Sequence, residues 1–164
     1  MSSFEVVGGK KLSGTIHPQG AKNEALQIIC AVLLSKEKII VKNVPDIIDV
    51  NKLIDLLKSL GVEVRKTSKG TFEFQSNDID LNYLNTEDFE LKGKSLRGSI
   101  MIVGPLLARF GIASIPRPGG DKIGRRRLDT HFENLIKLGG NFTYDKENKK
   151  YKICLLYTSD AADD

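Results

Sequence analysis

The feature that most constrains the fold of this chain is an order of sequence patterns that occurs twice. Each copy comprises an apolar helix, a short strand, a second helix that ends at glycine, and a hairpin. In the first copy these patterns span residues 23–34, 36–41, 49–60, and 62–65 with 71–75. In the second copy they span residues 96–110, 112–115, 128–138, and 141–145 with 151–154. The recurrence predicts an internal repeat of about seventy residues and an α/β (α+β) fold.

The segments before and inside the first copy give more specific predictions. Residues 4–9 and 12–18 are typical of short strands interrupted by glycine. The helix predicted over residues 49–60 has an apolar stripe formed by Leu53, Leu56, Leu57 and Leu60. Gly61 is expected to end that helix as a C-cap.

The composition limits the class of partner. With 164 residues, of which 40% are hydrophobic, the chain is long enough to bury one sizeable core or two small ones. The net charge of +4 and the pI near 9.0 favour an anionic partner. Aromatic residues make up 7% and Trp is absent, which favours a small phosphorylated ligand over nucleic acid. A nucleic-acid-binding domain that uses Arg125, Arg126 and Arg127 remains an alternative.

Three further patterns concern location and cofactors. The longest apolar run, residues 25–34, is far shorter than the ~20 residues that a membrane span requires, so no membrane association is expected. The start of the chain has neither a basic region nor an apolar region of a secretory signal, which predicts a cytoplasmic protein. Cys30 and Cys154 form neither a disulfide framework nor a metal-ligand cluster, and both are interpreted as structural or incidental.

Two segments are candidates for anion binding. Residues 20–23 (GAKN) directly precede a helix, where backbone N–H groups and the Lys22 ammonium converge. The alternative is an ordinary helix start with a solvated lysine. Residues 116–131 contain three glycines, two prolines and four arginines between a strand and a helix. That composition is typical of a phosphate-binding lid, or alternatively of an exposed basic loop.

Four further basic residues are interpreted one by one. Arg109 is predicted to be a solvated residue that complements a helix dipole. Arg97 lies in the first turn of its helix, where a cation opposes the dipole unless an anion is near. His17 and His131 are interpreted as structural residues.

Six motifs together resemble one family, in order and in spacing. They are GAKN at 20–23, NVP at 43–45, LKSLG at 57–61, LRGS at 96–99, GPLLARFG at 104–111 and PGGDKIG at 118–124. This set is similar to the enolpyruvyl transferases, and within them to the UDP-N-acetylglucosamine branch. The shikimate-pathway branch carries a serine-bearing motif in place of GAKN and lacks the Gly-Gly lid, so it is kept only as an alternative.

The resemblance implies a fold of two globular domains, an inside-out α/β barrel built from six βαβαββ units, with the active site between the domains. Residues 1–20 would be strands of the second domain, and residues 21–154 would form about two units of the first. Residues 155–164 match nothing in the family and are interpreted as a non-native tail of a truncated chain. The missing second domain would be needed to complete the site, so this chain alone is expected to be inactive.

The resemblance also implies a reaction without metal or cofactor. The enolpyruvyl group of phosphoenolpyruvate would pass to the 3′-hydroxyl of UDP-N-acetylglucosamine, with release of phosphate, at the start of peptidoglycan synthesis. Lys22 is a candidate catalytic residue. The candidate substrate-binding residues are Lys22 and Asn23 for phosphoenolpyruvate, Arg97 and Arg126 for the anionic groups, and Arg127, Leu128, Asp129 and Thr130 for the UDP-sugar. A non-catalytic module that binds a nucleotide sugar is the alternative of a different class.

Asp121 occupies the lid position where most family members carry cysteine, and the resemblance implies that it is the acid that protonates C3 of phosphoenolpyruvate. A free aspartic acid has a pKa of about 3.9 and a thiol about 8.5, so Asp121 is expected to be ionised at neutral pH. Lys122 and Arg125 favour ionisation further. An acid role therefore requires desolvation or bound substrate anions to raise the pKa. Because fosfomycin alkylates the lid thiolate of the family, a protein with aspartate there is expected to be insensitive to it.

Overall fold

The computed structural model describes residues 3–119 and 127–155 and contains two copies of the predicted arrangement. The first copy consists of α1 (Lys22–Ala31), β1 (Ile39–Val41), α2 (Ile48–Ser59), β2 (Glu63–Ser68) and β3 (Thr71–Gln75). A helix that the sequence patterns did not predict, α3 (Glu87–Ser95), follows it. The second copy consists of α4 (Val103–Phe110), β4 (Ile112–Pro116), α5 (Asp129–Lys137), β5 (Gly140–Asp145) and β6 (Lys150–Leu155). The described residues also contain three short 3₁₀ segments: Val32–Leu34, Leu81–Asn85 and Arg97–Ile102.

The two sheets share one topology. Each has three strands, in the orders β1-β3-β2 and β4-β6-β5. Every pairing is antiparallel, with Ile39 opposite Phe74 in the first sheet and Ile112 opposite Cys154 in the second. In both copies the strand before the second helix therefore pairs with the far strand of the hairpin. The predicted recurrence of elements and the α/β fold are confirmed.

The two copies share a single hydrophobic core. The stripe of α2 is fully buried, because Leu53, Leu56, Leu57 and Leu60 have no exposed surface. The same connected cluster includes Phe74 from the first sheet and Ile153 from the second. Burial of a large apolar side chain contributes about 1.5–3 kcal/mol, so this joint core is the main force that holds the copies together.

The structure between residues 76 and 103 differs from the one that the sequence patterns predicted. The continuous helix expected over residues 96–110 begins instead as a 3₁₀ segment, and regular α-helix starts at Val103. The buried Ser99 hydroxyl donates to the backbone oxygens of Leu96 at 2.7 Å and Gly93 at 2.8 Å. A serine that bonds nearby backbone in this way favours tight turns over α-helix. This 3₁₀ segment packs against α1.

Residues 3–21 contain no strand, contrary to the prediction of short strands there. Their large apolar side chains are exposed, from 78% for Val7 to 98% for Phe4. A strand requires a hydrogen-bonded neighbour, and no strand of the described residues pairs with this segment. Its assignment to a second domain stays a prediction.

The other end of the described chain is more regular than expected. Leu155, the first residue of the predicted tail, belongs to β6 and pairs with Gly140. Its N–H also donates to the Gly111 carbonyl at 2.8 Å. Residues 156–164 of that tail lie outside the described residues.

The prediction that Arg109 is solvated is wrong, because the residue is half-buried. Its guanidinium donates to the carbonyl oxygens of Leu33 at 2.9 Å, Ser35 at 3.4 Å and Ser76 at 2.7 Å. The first two acceptors follow α1 and the third follows β3. This arginine of the second copy therefore fastens two segments of the first copy together.

Within residues 3–119 and 127–155, no helix combines the length and the hydropathy that crossing a bilayer demands.

Candidate functional site

The start of α1 is fixed by a close backbone contact. A Cβ at position 20 would lie 1.9 Å from the carbonyl oxygen of Asn43, so only glycine fits there. The loop that contains Asn43 is itself held by the Val44 N–H, which donates to the Gly70 carbonyl at 2.9 Å. The motifs at 20–23 and 43–45 therefore meet in space, and the contact places Lys22 and Asn23 at the first turn of α1.

A second close contact brings Arg97 to the same place. A Cβ at position 98 would lie 3.1 Å from Cδ1 of Leu26, so the backbone at Gly98 packs tightly against α1. Arg97 is half-buried and begins the 3₁₀ segment that carries this glycine. Position 97 therefore lies beside the start of α1 although 75 residues separate Arg97 from Lys22 in sequence.

Lys22 forms an ion pair across two helices. Its Nζ lies 2.5 Å from Oδ2 of Asp49, which is in the first turn of α2. The two side chains retain 47% and 34% of their exposed surface. Solvent screens a pair of this kind, and it contributes on the order of 0–1 kcal/mol to stability. The pair therefore fixes the direction of the ammonium more than it stabilises the fold.

These elements border a cleft of about 820 Å³. Its lining comes from α1, α2, the end of α3, the 3₁₀ segment Arg97–Ile102, α5 and the residues just before α5. The charged and polar lining residues are Lys22, Asn23, Gln27, Asp49, Lys52, Ser95, Arg97, Arg127 and His131. Five predicted site residues thus meet in one cleft: Lys22, Asn23, Arg97, Arg127 and Leu128.

The charges of the cleft favour an anion. Four cationic side chains line it: Lys22, Lys52, Arg97 and Arg127. Among the described residues that line it, Asp49 is the single carboxylate. The positive end of α1 adds to this field, because the first N–H groups of a helix have no acceptor within the helix. Such an arrangement can hold a ligand with more than one negative charge.

A smaller cavity of about 380 Å³ adjoins the cleft and shares Arg97, Arg127 and Leu128 with it. Its floor is aromatic: the ring centroids of Phe132 and Phe142 are 4.8 Å apart, and those of Phe132 and Tyr151 are 4.7 Å apart. Arg117 also lines it. The cavity therefore combines three guanidinium groups and apolar ring faces with the carboxylates of Asp129 and Glu133. Such a lining can hold a planar ligand whose anionic group lies at the arginines.

The remaining predicted site residues are placed differently. Asp129 lines the smaller cavity, where its Oδ2 accepts from Nε of Arg127 at 2.6 Å. Thr130 is exposed on α5 and lines neither cavity. Asp121 and Arg126 lie outside the described residues.

Sequence patterns missed several residues of these cavities. Asp49 and Lys52 are three positions apart on α2, a spacing that places both on one helix face. That spacing was the available signal, but nothing in the sequence indicated that this face turns towards Lys22. His131, interpreted as structural, is exposed and lines the cleft. Arg117 was noted only as part of the arginine-rich segment.

Cys30 is not a substitute for the cysteine that the lid lacks. It is buried in the core with 1% of its surface exposed, and burial raises the pKa of its thiol far above the ordinary value. A thiol in that state is a poor nucleophile at neutral pH. In the parts of the chain that are described, no group of three or more His, Cys, Asp or Glu side chains is placed to hold a metal ion.

The fold has a counterpart among solved structures. An enolpyruvyl transferase, NikO from Streptomyces tendae, superposes with a TM-score of 0.65 over 90% of this chain and 31% of its own. The sequence identity is 17%, so this likeness concerns the fold. The architecture and the cation-lined cleft thus define a chain with the enolpyruvyl transferase fold.

Sequence comparison identifies the family. The chain belongs to the EPSP synthase (3-phosphoshikimate 1-carboxyvinyltransferase) family, which matches residues 6–158. The resemblance inferred from the motifs is confirmed. The most similar curated relatives include UDP-N-acetylglucosamine 1-carboxyvinyltransferases of Bacteroides fragilis, 56% identical, and Porphyromonas gingivalis, 50% identical. Each aligns over 93% of this chain and 35% of the relative, so the chain spans about a third of their length.

Proposed function

We propose that this chain forms one wall of an enolpyruvyl transferase active site. The whole protein that contains it would transfer the enolpyruvyl group of phosphoenolpyruvate to the 3′-hydroxyl of UDP-N-acetylglucosamine and release phosphate. The observation that carries the proposal is the convergence of Lys22, Arg97 and Arg127 from three elements in one cleft. The names of the relatives favour the UDP-N-acetylglucosamine branch over the shikimate branch. A cytoplasmic location stays part of this proposal.

We expect the two substrates to occupy different parts of the cleft, according to their charge and shape. Phosphoenolpyruvate, a small ligand with a phosphate and a carboxylate, would lie near Lys22 and Asn23 at the first turn of α1. Arg97 and Arg126 would bind its anionic groups and the diphosphate. The UDP-sugar would extend towards α5, where Arg127, Leu128 and Asp129 adjoin the aromatic cavity. Thr130 would contact the UDP-sugar only if the ligand reaches the exposed side of α5.

The reaction consists of an addition and an elimination. In the addition, the sugar hydroxyl gives its proton to a base as its oxygen bonds to C2 of phosphoenolpyruvate, and the electrons of the C2=C3 double bond take up a proton at C3. In the elimination, C3 loses a proton and the C2–O bond to phosphate breaks. Charge on the phosphate is greatest as it leaves, and preorganised cations such as Lys22 and Arg97 stabilise that charge. Asp121 is proposed as the acid that protonates C3, which requires its pKa to rise when the substrates bind.

The test is phosphate release from phosphoenolpyruvate by the whole protein, with and without UDP-N-acetylglucosamine. We expect release that depends on the sugar nucleotide, and a loss of at least about 100-fold in kcat/KM for Lys22→Gln. Lys58→Gln is the matched control, because Lys58 is an exposed lysine that pairs with Asp55 outside the cleft. Binding of UDP-N-acetylglucosamine without phosphate release would support the non-catalytic module instead.

A further inference from the structure

Asp49 poses an electrostatic problem for an anion site. It is the single carboxylate among the described residues that line the cleft, and it would repel phosphate and carboxylate groups of a substrate. We infer that Asp49 is a positioning residue that holds the Lys22 ammonium in the direction of the reacting phosphate. This inference rests on the proposed function and concerns a residue that no sequence pattern singled out.

The two helix ends explain why the pair forms. Lys22 is the first residue of α1, where a cation opposes the positive end of the helix dipole. Asp49 is the second residue of α2, where a carboxylate is favoured by the same effect. Neither helix has a side-chain cap, since Ala21 and Ile47 occupy the N-cap positions. The Asp49 carboxylate therefore compensates Lys22 at the place where the lysine is least favoured.

The consequence for catalysis follows from the flexibility of lysine. Its four-carbon chain has many rotamers, and an ammonium that moves freely stabilises a developing charge less well than one that is held. Removal of the Asp49 charge has two opposite effects on substrate binding. Binding is strengthened because the carboxylate no longer repels the anion, and it is weakened because Lys22 is no longer held in one direction. The two effects partly cancel in binding. In the chemical step we expect the lost direction of Lys22 to outweigh the lost repulsion, because the ammonium is the group aimed at the growing charge on the phosphate.

The principal test is Asp49→Asn in the whole protein. We expect kcat to fall by about 10- to 100-fold, while KM for phosphoenolpyruvate changes by less than about 3-fold. In a Lys22→Gln background, Asp49→Asn should lower kcat no further, because Asp49 acts through Lys22. Asp55→Asn is the control: Asp55 is on the same helix, pairs with Lys58 at 3.6 Å and does not line the cleft. It should leave kcat unchanged.

A second variant covers the case in which Asp49→Asn does not fold. Asp49→Glu keeps the charge but moves the carboxylate by one methylene, and we expect an intermediate kcat with an unchanged thermal midpoint. Wild-type kcat in both variants, or an equal loss in the Lys22→Gln background, would overturn the inference. If the wild-type protein itself releases no phosphate, the proposed function fails and the inference is judged by the next measurement.

That measurement requires no turnover. Nuclear magnetic resonance of ¹⁵N-labelled lysine reports how ordered the Lys22 ammonium is in this chain. We expect an ordered ammonium in the wild type and a mobile one in Asp49→Asn, with the Asp55→Asn spectrum unchanged. Equal mobility of Lys22 in the wild type and in Asp49→Asn would show that Asp49 does not hold it.

Discussion

The Arg109 guanidinium satisfies three backbone oxygens that belong to another part of the chain. Two of them, from Leu33 and Ser35, follow a helix, where carbonyl groups lack partners within the helix and favour a cation. Without Arg109 these partly buried acceptors would have to be satisfied by water. The Arg109 side chain thus links the second copy of the repeat to the first.

Replacement of Arg109 by methionine should therefore destabilise the fold. We expect the free energy of unfolding to fall by about 2 kcal/mol, because hydrogen bonds from a charged donor are lost while most of the side-chain volume remains. Urea unfolding followed by circular dichroism measures the change. Arg65→Met, at an exposed position on β2, is the control and should have little effect. An equal loss in both variants would show that the three contacts of Arg109 do not matter.

The aspartate at position 121 should make the protein resistant to fosfomycin. A carboxylate attacks an epoxide more slowly than a thiolate does, so fosfomycin should not inactivate the whole protein. Asp121→Cys should introduce time-dependent inactivation, which mass spectrometry of the labelled cysteine can locate. Cys30 provides an internal control, since its buried thiol should stay unlabelled. Rapid inactivation of the wild type, relieved by Asp121→Ala, would contradict the prediction.

Two elements depend on polar interactions that their apolar patterns do not reveal. Helix α3 begins at the Thr86 hydroxyl, which accepts from the Phe89 N–H at 3.2 Å. Its outer face is held by Asp88, which accepts from the Tyr83 hydroxyl at 2.5 Å and from Lys92 at 2.7 Å. These contacts act together with Phe89, which is fully buried in the core, to hold a helix with few apolar residues.

The β5–β6 hairpin has a pH-sensitive turn. Hydrogen bonds from Asn148, with a smaller contribution from Lys152, lower the pKa of Asp145 to about 2. A depressed pKa in the folded state means that the ionised carboxylate favours folding. This contribution is complete above the unfolded value of about 3.9 and is lost as the pH falls towards 2.

Asp145→Asn should remove this dependence. We expect the stability of the wild type to fall between about pH 4 and pH 2 more steeply than that of the variant. Urea midpoints measured across this range test the prediction. Asp55→Asn serves as the comparison, because Asp55 is an exposed aspartate that pairs only at 3.6 Å. Parallel curves for the wild type and Asp145→Asn would refute the role of the turn.

At the scale of the whole molecule, residues 3–21 lie outside the core that the two copies share. Phe4, Leu12 and Ile16 are each at least 90% exposed, which is unusual for a row of large apolar side chains. Such a segment contributes little to the stability of the remaining chain. It also offers apolar surface to other molecules, including further copies of the same chain.

Removal of residues 1–18 tests this description. The urea midpoint should stay the same within error, because the side chains of residues 3–18 are exposed and residues 19–23 keep the contact between Gly20 and Asn43. Sedimentation velocity should show less self-association than for the undeleted chain. A large loss of stability on deletion would mean that the segment packs on the core.

The sequence alone determined most of the elements and the family. Local periodicity fixed α1, α2, α5 and both hairpins, because an apolar stripe or an alternation depends on neighbouring residues. Local periodicity did not predict α3 or the 3₁₀ turn at Ser99, because polar contacts decide the conformation at both places. The motifs also placed Lys22, Asn23, Arg97, Arg127 and Leu128 in one predicted site, and the structure brings these five to one cleft.

Only the tertiary structure decided which side chains meet. Three sets of contacts join residues that are 23 to 76 positions apart in sequence. Lys22 pairs with Asp49, Gly20 packs against Asn43, and Arg109 donates to backbone carbonyl groups. Contacts at such separations depend on how α1, α2 and α4 pack around a shared core, and no local pattern encodes that packing. The order of the repeated elements could therefore be predicted from the sequence, while the orientation of each charged side chain in the cleft could not.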